Sequence, residues 1–93
     1  MLARNWRCAL GEVDLIIDAS QPGGDIVIVF VEVKARADDR FGSPALAVGA
    51  AKQRTVRRVA ARWLAEADQR YAEVRFDVVA VTGVHVEVIE AAF

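Results

Sequence analysis

The chain has 93 residues, of which 55% are hydrophobic and 27% charged, and its formal net charge is −1. This length predicts a single domain, residues 1–93, and the composition excludes a disordered or highly charged polypeptide. Because the net charge is close to zero, any surface that binds nucleic acid has to be a local one. The single cysteine, Cys8, excludes an intramolecular disulfide and a four-thiolate zinc site.

No N-terminal stretch has the apolar length of a signal peptide, and the longest apolar run, residues 26–31, is too short to span a bilayer. One reduced thiol is typical of the cytoplasm. We therefore expect a soluble cytoplasmic protein that does not associate with a membrane.

Three extended segments are predicted in the N-terminal part of the chain. Residues 2–8 show a weak extended pattern, whereas residues 12–18 alternate between an apolar and a mainly polar set, as in a strand. A strong turn signal, Gln-Pro-Gly-Gly-Asp, occupies residues 21–25. Residues 26–34 are β-branched and apolar almost throughout, and a run that is apolar on both faces predicts a central strand covered on both sides.

A helix and two more strands are predicted in the remainder. Ser43 followed by Pro44 is a helix-start signal, and the helix is expected over residues 45–67. Residues 74–82 and 84–89 are predicted strands. This order indicates an α/β fold, a mixed β-sheet of about five strands with a long covering helix. The apolar stripe of the helix is expected to be Leu46, Val56, Val59, Ala60, Trp63, Leu64 and Ala67.

The turn at residues 21–25 fixes a register between the strands that it joins. If the turn is symmetric, residues whose numbers sum to 46 lie opposite each other, which pairs Asp14 with Glu32 and Glu12 with Lys34. All four side chains are then expected on one face, at the strand ends away from the turn. A β-bulge would change this register, and the sequence leaves that alternative open.

This predicted cluster is suited to metal chemistry, because three carboxylates beside one amine repel each other on a largely apolar sheet. Mg²⁺ binds one or two carboxylates and keeps water and substrate phosphate as its other ligands. Asp14 and Glu32 can supply the carboxylates. Lys34 can position or deprotonate the attacking water, or neutralise charge in the transition state, during phosphodiester hydrolysis. A structural salt-bridge cluster is the alternative, since Glu-x-Lys on a strand is usually a solvated pair.

Several sequence blocks together resemble one known family. They are Arg-Asn-Trp-Arg at 4–7, Gly-Glu-Val-Asp-Leu-Ile at 11–16, Val-Phe-Val-Glu-Val-Lys at 29–34, Lys52, and Arg-Phe-Asp-Val-Val at 75–79. In this order they resemble the YraN-type family of uncharacterised bacterial proteins. That family is assigned to the PD-(D/E)XK nuclease superfamily, with archaeal Holliday-junction resolvases and restriction endonucleases. The resemblance covers residues 2–81 and implies a restriction-endonuclease-like fold.

The resemblance implies a role for each matching residue of the cluster. Asp14 and Glu32 match metal-binding acids, and the backbone carbonyl of Val33 would be a further ligand of Mg²⁺ or Mn²⁺. Lys34 matches the catalytic lysine. Glu12 would support a second metal or orient that lysine. Relatives also carry an N-terminal helix before the segment that matches residues 2–7, and this chain begins where that helix should end.

Basic residues outside the cluster are candidate phosphate contacts. Lys52, Arg4 and Arg7 match basic positions of the family, and Arg36 directly follows the Glu-x-Lys element; ordinary solvated side chains are the alternative for each. The function implied is a metal-dependent endonuclease acting on DNA, with structure-selective cleavage in repair, recombination or uptake as one form of it. The alternative is a nucleic-acid-binding module of the same fold with little or no catalysis. The resolvase-like relatives pair as homodimers, which leaves a homodimer open here.

Overall fold

The computed structural model describes residues 1–36 and 48–93, and the elements in these ranges follow the predicted order. They form a five-stranded sheet in the order β1-β2-β3-β4-β5, in which β3 and β4 are parallel and the other neighbours antiparallel. The predicted α/β architecture, a mixed sheet with a covering helix, is confirmed. The elements are β1 (Ala3–Cys8), β2 (Gly11–Asp18), β3 (Val27–Arg36), α1 (Ala50–Glu66), β4 (Glu73–Thr82) and β5 (His85–Ile89).

The helix is shorter than the sequence pattern predicts. The predicted start at Ser43 and Pro44 lies outside the described residues, and α1 begins at Ala50, after an extended Gly49 at the N-cap. At its other end α1 stops at Glu66, so Ala67 is exposed rather than part of the buried stripe. Within the described part of the chain, no helix has the length and apolar character needed to cross a membrane.

The main core lies between α1 and one face of the sheet. The ring of Phe30, in the centre of β3, meets Trp63 edge-on at 6.0 Å and stacks on Phe76 at 5.7 Å between centroids. Val56, Val59, Ala60 and Trp63 of the predicted stripe are buried here, and Leu64 is partly buried. Leu46 lies outside the described residues. Aromatic pairs of this geometry add to the stabilisation from burial alone.

The opposite face of β3 is also buried in the middle of the strand. Val29 and Val31 are each 2% exposed, which confirms cover on both sides there, whereas Val33, further along the same face, is 40% exposed. On the same face of β4, the buried Asp77 accepts two hydrogen bonds from the Arg75 guanidinium, at 2.9 and 3.1 Å, and one from the Ala91 backbone amide at 3.0 Å. Because its carboxylate is paired in this way, Asp77 ties the C-terminal segment to the sheet.

Candidate metal-binding site

The register between β2 and β3 is the predicted one. The paired residues include Leu15 with Val31 and Ile16 with Phe30, so opposed residue numbers sum to 46 throughout the ladder. The ladder ends at the first of these pairs, and the strand pairing does not continue to Asp14. The predicted register is therefore confirmed from Leu15 to Asp18. The two predicted pairs, Asp14 with Glu32 and Glu12 with Lys34, lie beyond the ladder, where the two strands separate.

An irregularity in β1 and β2 lies at the same level as this separation. The β1–β2 ladder omits one level, at Asn5 and Asp14, and Asn5 adopts a left-handed backbone with φ of 50°. The buried residues of β2 on either side of Asp14 are Val13 and Ile16. They are three positions apart, whereas residues on one face of a regular strand are two or four positions apart. The alternation of faces is thus inverted at Asp14, since both buried residues belong to the core beneath α1.

The inversion places Glu12 away from the other acids. Val13 faces the core, so Glu12, its neighbour, points to the opposite face, where its Oε2 lies 2.7 Å from Nε of Arg7. The prediction that Glu12 shares a face with Glu32 and Lys34 is wrong, because it assumed unbroken alternation along residues 12–18.

Arg4 and Arg7 follow the same geometry in β1. Ala3 and Trp6 pack against the core, so the two arginines point to the face away from α1, and both are exposed. Arg36 is the last residue of β3, and its side chain lies outside the described part of the structure. The structure does not bring the two β1 arginines together with the acids beneath α1.

The Asp14 carboxylate takes the place of the missing strand pairing. Its Oδ2 accepts a hydrogen bond from the backbone N–H of Val33 at 2.8 Å. In a strand, the N–H and C=O of one residue point towards the same neighbouring strand. The carbonyl of Val33 is therefore directed to the edge of β3 where Asp14 lies, which places a third oxygen beside the carboxylates.

Glu32 is the most unusual side chain in the site. It is 3% exposed, and its Oε1 is buried without a hydrogen-bond partner. Its Oε2 lies 3.7 Å from the Nζ of Lys52. Burial raises the pKa of the Glu32 carboxyl, the negative charge of Asp14 raises it further, and the ammonium groups of Lys52 and Lys34 oppose both effects. A buried carboxylate with a free oxygen is costly, so this site is not optimised for stability alone.

The two lysines approach Glu32 from different elements. Lys34 lies two residues further along β3, on the same face as Glu32. Lys52 lies in the first turn of α1, and its side chain remains 41% exposed. Sequence reasoning predicted Lys52 as a phosphate contact but missed its pairing with Glu32. The signal was present, because a helix that connects two parallel strands begins near the end of the first one.

The chemistry of this donor set fits a hard divalent cation. Two carboxylates and one backbone carbonyl are oxygen ligands of the kind that Mg²⁺ and Mn²⁺ prefer, and Mg²⁺ uses few protein ligands and retains water. The Oε1 atom of Glu32 has no hydrogen-bond partner and is therefore available as a ligand. Among residues 1–36 and 48–93, no group of three His, Cys, Asp or Glu side chains is placed to hold an ion, so a protein-only cage is not formed there.

Fold and site together define a mixed α/β protein with a buried carboxylate beside a second acid and two lysines. The model of the uncharacterised protein family UPF0102 matches residues 1–81, and the chain belongs to this family. This confirms the resemblance to the YraN-type family.

Two relatives show the extent of the similarity. A UPF0102 protein of Mycolicibacterium gilvum is 52% identical over an alignment of 83 residues, which covers 87% of this chain and 63% of that protein. A UPF0102 protein of Frankia alni is 48% identical over 98 residues, covering 100% of this chain and 78% of the relative. The chain spans about three fifths of the length of the mycobacterial relatives that it matches.

Proposed function

We propose that this protein is a metal-dependent nuclease that hydrolyses phosphodiester bonds in DNA. The observation that carries the proposal is the buried, unpartnered Oε1 of Glu32, with Asp14 and two ammonium groups near the same carboxylate. A structural ion-pair cluster would satisfy its buried oxygens, whereas a cation-binding site needs one left available. The resemblance to the PD-(D/E)XK superfamily supports the same assignment, and the mixed sheet is consistent with its fold.

In this proposal each residue of the site has a separate task. Glu32, Asp14 and the carbonyl of Val33 bind the cation, Mg²⁺ or Mn²⁺. A bound divalent cation supplies Lewis-acid polarisation of the phosphodiester and makes a coordinated water more acidic. Lys34 positions the attacking water and offsets negative charge that develops on the phosphate. The exposed ammonium of Lys52 contacts a phosphate next to the scissile one.

A DNA-binding module with little or no catalysis is the second candidate. Two observations favour it: the described residues supply two acids rather than three, and Lys52 already neutralises part of the Glu32 charge. Both candidates use the same site, so they differ only in whether the bound DNA is cut.

Nicking of supercoiled plasmid in the presence of Mg²⁺ or Mn²⁺ tests the proposal. We expect the wild-type protein to nick, and Asp14→Asn and Lys34→Ala to lower the rate by more than about a hundredfold, because loss even of an outer-sphere partner costs up to that much. Asp25→Asn, an exposed acid in the β2–β3 turn, is the matched control and should retain full activity.

Three outcomes are informative. Equal nicking by the wild type and the two site variants would assign the activity to a contaminant and contradict the proposal. Binding of DNA without cleavage by the wild type would favour the second candidate. Metal titration by calorimetry distinguishes these cases further, since the wild type should bind one class of divalent cation that Asp14→Asn binds at least about tenfold more weakly.

The phosphate contact assigned to Lys52 predicts a change in salt dependence. Each lysine or arginine that neutralises a phosphate of duplex DNA contributes about 0.9 to the slope of log affinity against log salt concentration. We therefore expect Lys52→Gln to make this slope shallower by about one, measured by fluorescence anisotropy in Ca²⁺ to prevent cleavage. Arg70→Gln, at an exposed position between α1 and β4, is the control. An unchanged slope for Lys52→Gln would restrict Lys52 to its pairing with Glu32.

A further inference from the structure

In residues 1–36 and 48–93, the outer edge of β5 is an unpaired sheet edge. β5 pairs with β4 on one side, and within the described part of the chain the strand order places no other strand beyond it. Proteins usually protect such an edge with lysine, proline, a bulge or a covering segment. The sequence His-Val-Glu-Val-Ile of β5 contains neither lysine nor proline, and its pairing with β4 is continuous from Thr82–His85 to Val78–Ile89.

One face of this edge is apolar and exposed. Val86 and Val88 are 64% and 56% exposed, and Val84, in the turn before β5, is 94% exposed. Val86 and Val88 lie opposite Val81 and Val79 of β4, so the exposed valines extend an apolar strip across both strands. An apolar strip that continues to an open edge is typical of an interface formed by strand addition.

The sequence of this edge is complementary to itself. When residues 84–88, Val-His-Val-Glu-Val, are paired antiparallel with a second copy and centred on Val86, valine meets valine at each apolar position. In the same register, His85 lies opposite Glu87 of the partner subunit, and the reciprocal pair forms by symmetry. We propose that β5 binds β5 of a second copy of this chain in this register, joining two five-stranded sheets into one.

Charge selects this register over its neighbour. Centring the pair on Glu87 would place two carboxylates directly opposite each other and leave His85 facing an isoleucine. Gly83 contributes to the geometry, since its positive φ of 60° at the first position of the two-residue β4–β5 turn keeps this hairpin tight. β5 lies two strands from β3 and beyond residues 1–81, so this contact leaves Glu32 uncovered and is independent of the proposed nuclease activity.

Analytical ultracentrifugation of the protein at about 1 to 500 µM tests the interface. We expect a monomer–dimer equilibrium in the wild type. Glu87→Lys places an ammonium opposite His85 of the partner subunit, and His85→Glu opposes two carboxylates. Each single variant should weaken dimerisation about tenfold, because Glu87→Lys removes the carboxylate that faces His85 of the partner subunit and His85→Glu opposes two carboxylates, in both symmetric pairs. The double variant, which restores opposite charges across the axis, should dimerise like the wild type or more tightly.

The double variant distinguishes this interface from a general charge effect. Glu73→Lys alters the same charge at an exposed position at the far end of β4 and should leave the dissociation constant unchanged. Circular dichroism and thermal melts establish that each variant is folded, as expected for exposed positions. A monomeric wild type over the whole range would overturn the proposal. A dimer that tolerates both single changes, or two singles that the double variant does not restore, would also do so.

Discussion

Replacing Glu32 with glutamine is expected to raise the free energy of unfolding of the metal-free protein at neutral pH, by about 1 kcal/mol, while abolishing nicking. The reason is that the buried carboxylate has an unpartnered oxygen and a nearby acid, Asp14, and both disfavour its charged form. Glutamine preserves the shape of the side chain and removes the charge. A gain in stability with loss of activity is characteristic of a residue retained for function.

The effect of Glu32→Gln can also be measured through the pH dependence of stability. Folding raises the pKa of the Glu32 carboxyl. Its contribution to the free energy of unfolding is therefore fully present below the pKa that Glu32 has in the unfolded chain, and is lost as the pH rises through its folded-state pKa. The wild type should therefore lose stability relative to Glu32→Gln between acidic and neutral pH, as measured by urea unfolding in EDTA. Mg²⁺ should stabilise the wild type alone, by about 2.7 kcal/mol at a hundredfold excess over its dissociation constant.

Glu73→Gln, at an exposed position of β4, is the control for a general effect of removing one negative charge. Its stability should follow that of the wild type at every pH. If Glu32→Gln were less stable than the wild type at neutral pH without divalent cations, the carboxylate would be a net contributor to stability. That result would contradict the conclusion that Glu32 is retained for function.

Truncating Phe30 is expected to produce the largest loss of stability. Its ring is 0% exposed and contacts both Trp63 and Phe76, so Phe30→Ala should lower the free energy of unfolding by about 4 kcal/mol through lost burial and a residual cavity. A domain of this size is stabilised by only about 5 to 14 kcal/mol in total. Urea unfolding followed by tryptophan fluorescence measures the change directly.

Tyr71→Ala is the matched aromatic control. Tyr71 lies between α1 and β4 and is 52% exposed, so its truncation should change the stability by less than about 0.5 kcal/mol. Equal losses in the two variants would show that the core is not centred on β3.

The strand register could be predicted from the sequence because a symmetric turn at residues 21–25 sets the pairing. The observed pairs, from Leu15–Val31 to Asp18–Ile28, follow it. The predicted alternation is wrong beyond Asp14, at Val13 and Glu12, where the inversion coincides with the left-handed backbone of Asn5 in the neighbouring strand and with the burial of Val13 beneath α1. No local pattern in residues 12–18 encodes either condition.

The candidate site was predictable in part for a related reason. Asp14, Glu32 and Lys34 could be placed together because strand pairing and side-chain alternation are short-range rules. The approach of Lys52 depends on how α1 lies across the sheet, which follows from the packing of Trp63 and its neighbours rather than from spacing along the chain. The pairing of Glu12 with Arg7 required the inverted alternation and was missed with it.

The hydrogen bond from the Val33 amide gives the Asp14 carboxylate a structural role in addition to its proposed role as a metal ligand. Its Oδ2 accepts the hydrogen bond from Val33 at the point where β2 separates from β3, and in the proposed site the same carboxylate also binds the cation. Asparagine at position 14 retains an oxygen that can accept the hydrogen bond from Val33. Alanine removes this hydrogen bond and leaves the amide of Val33 without its partner. An alanine variant would thus confound loss of chemistry with fraying of the sheet, so the conservative amide is the informative probe of this position.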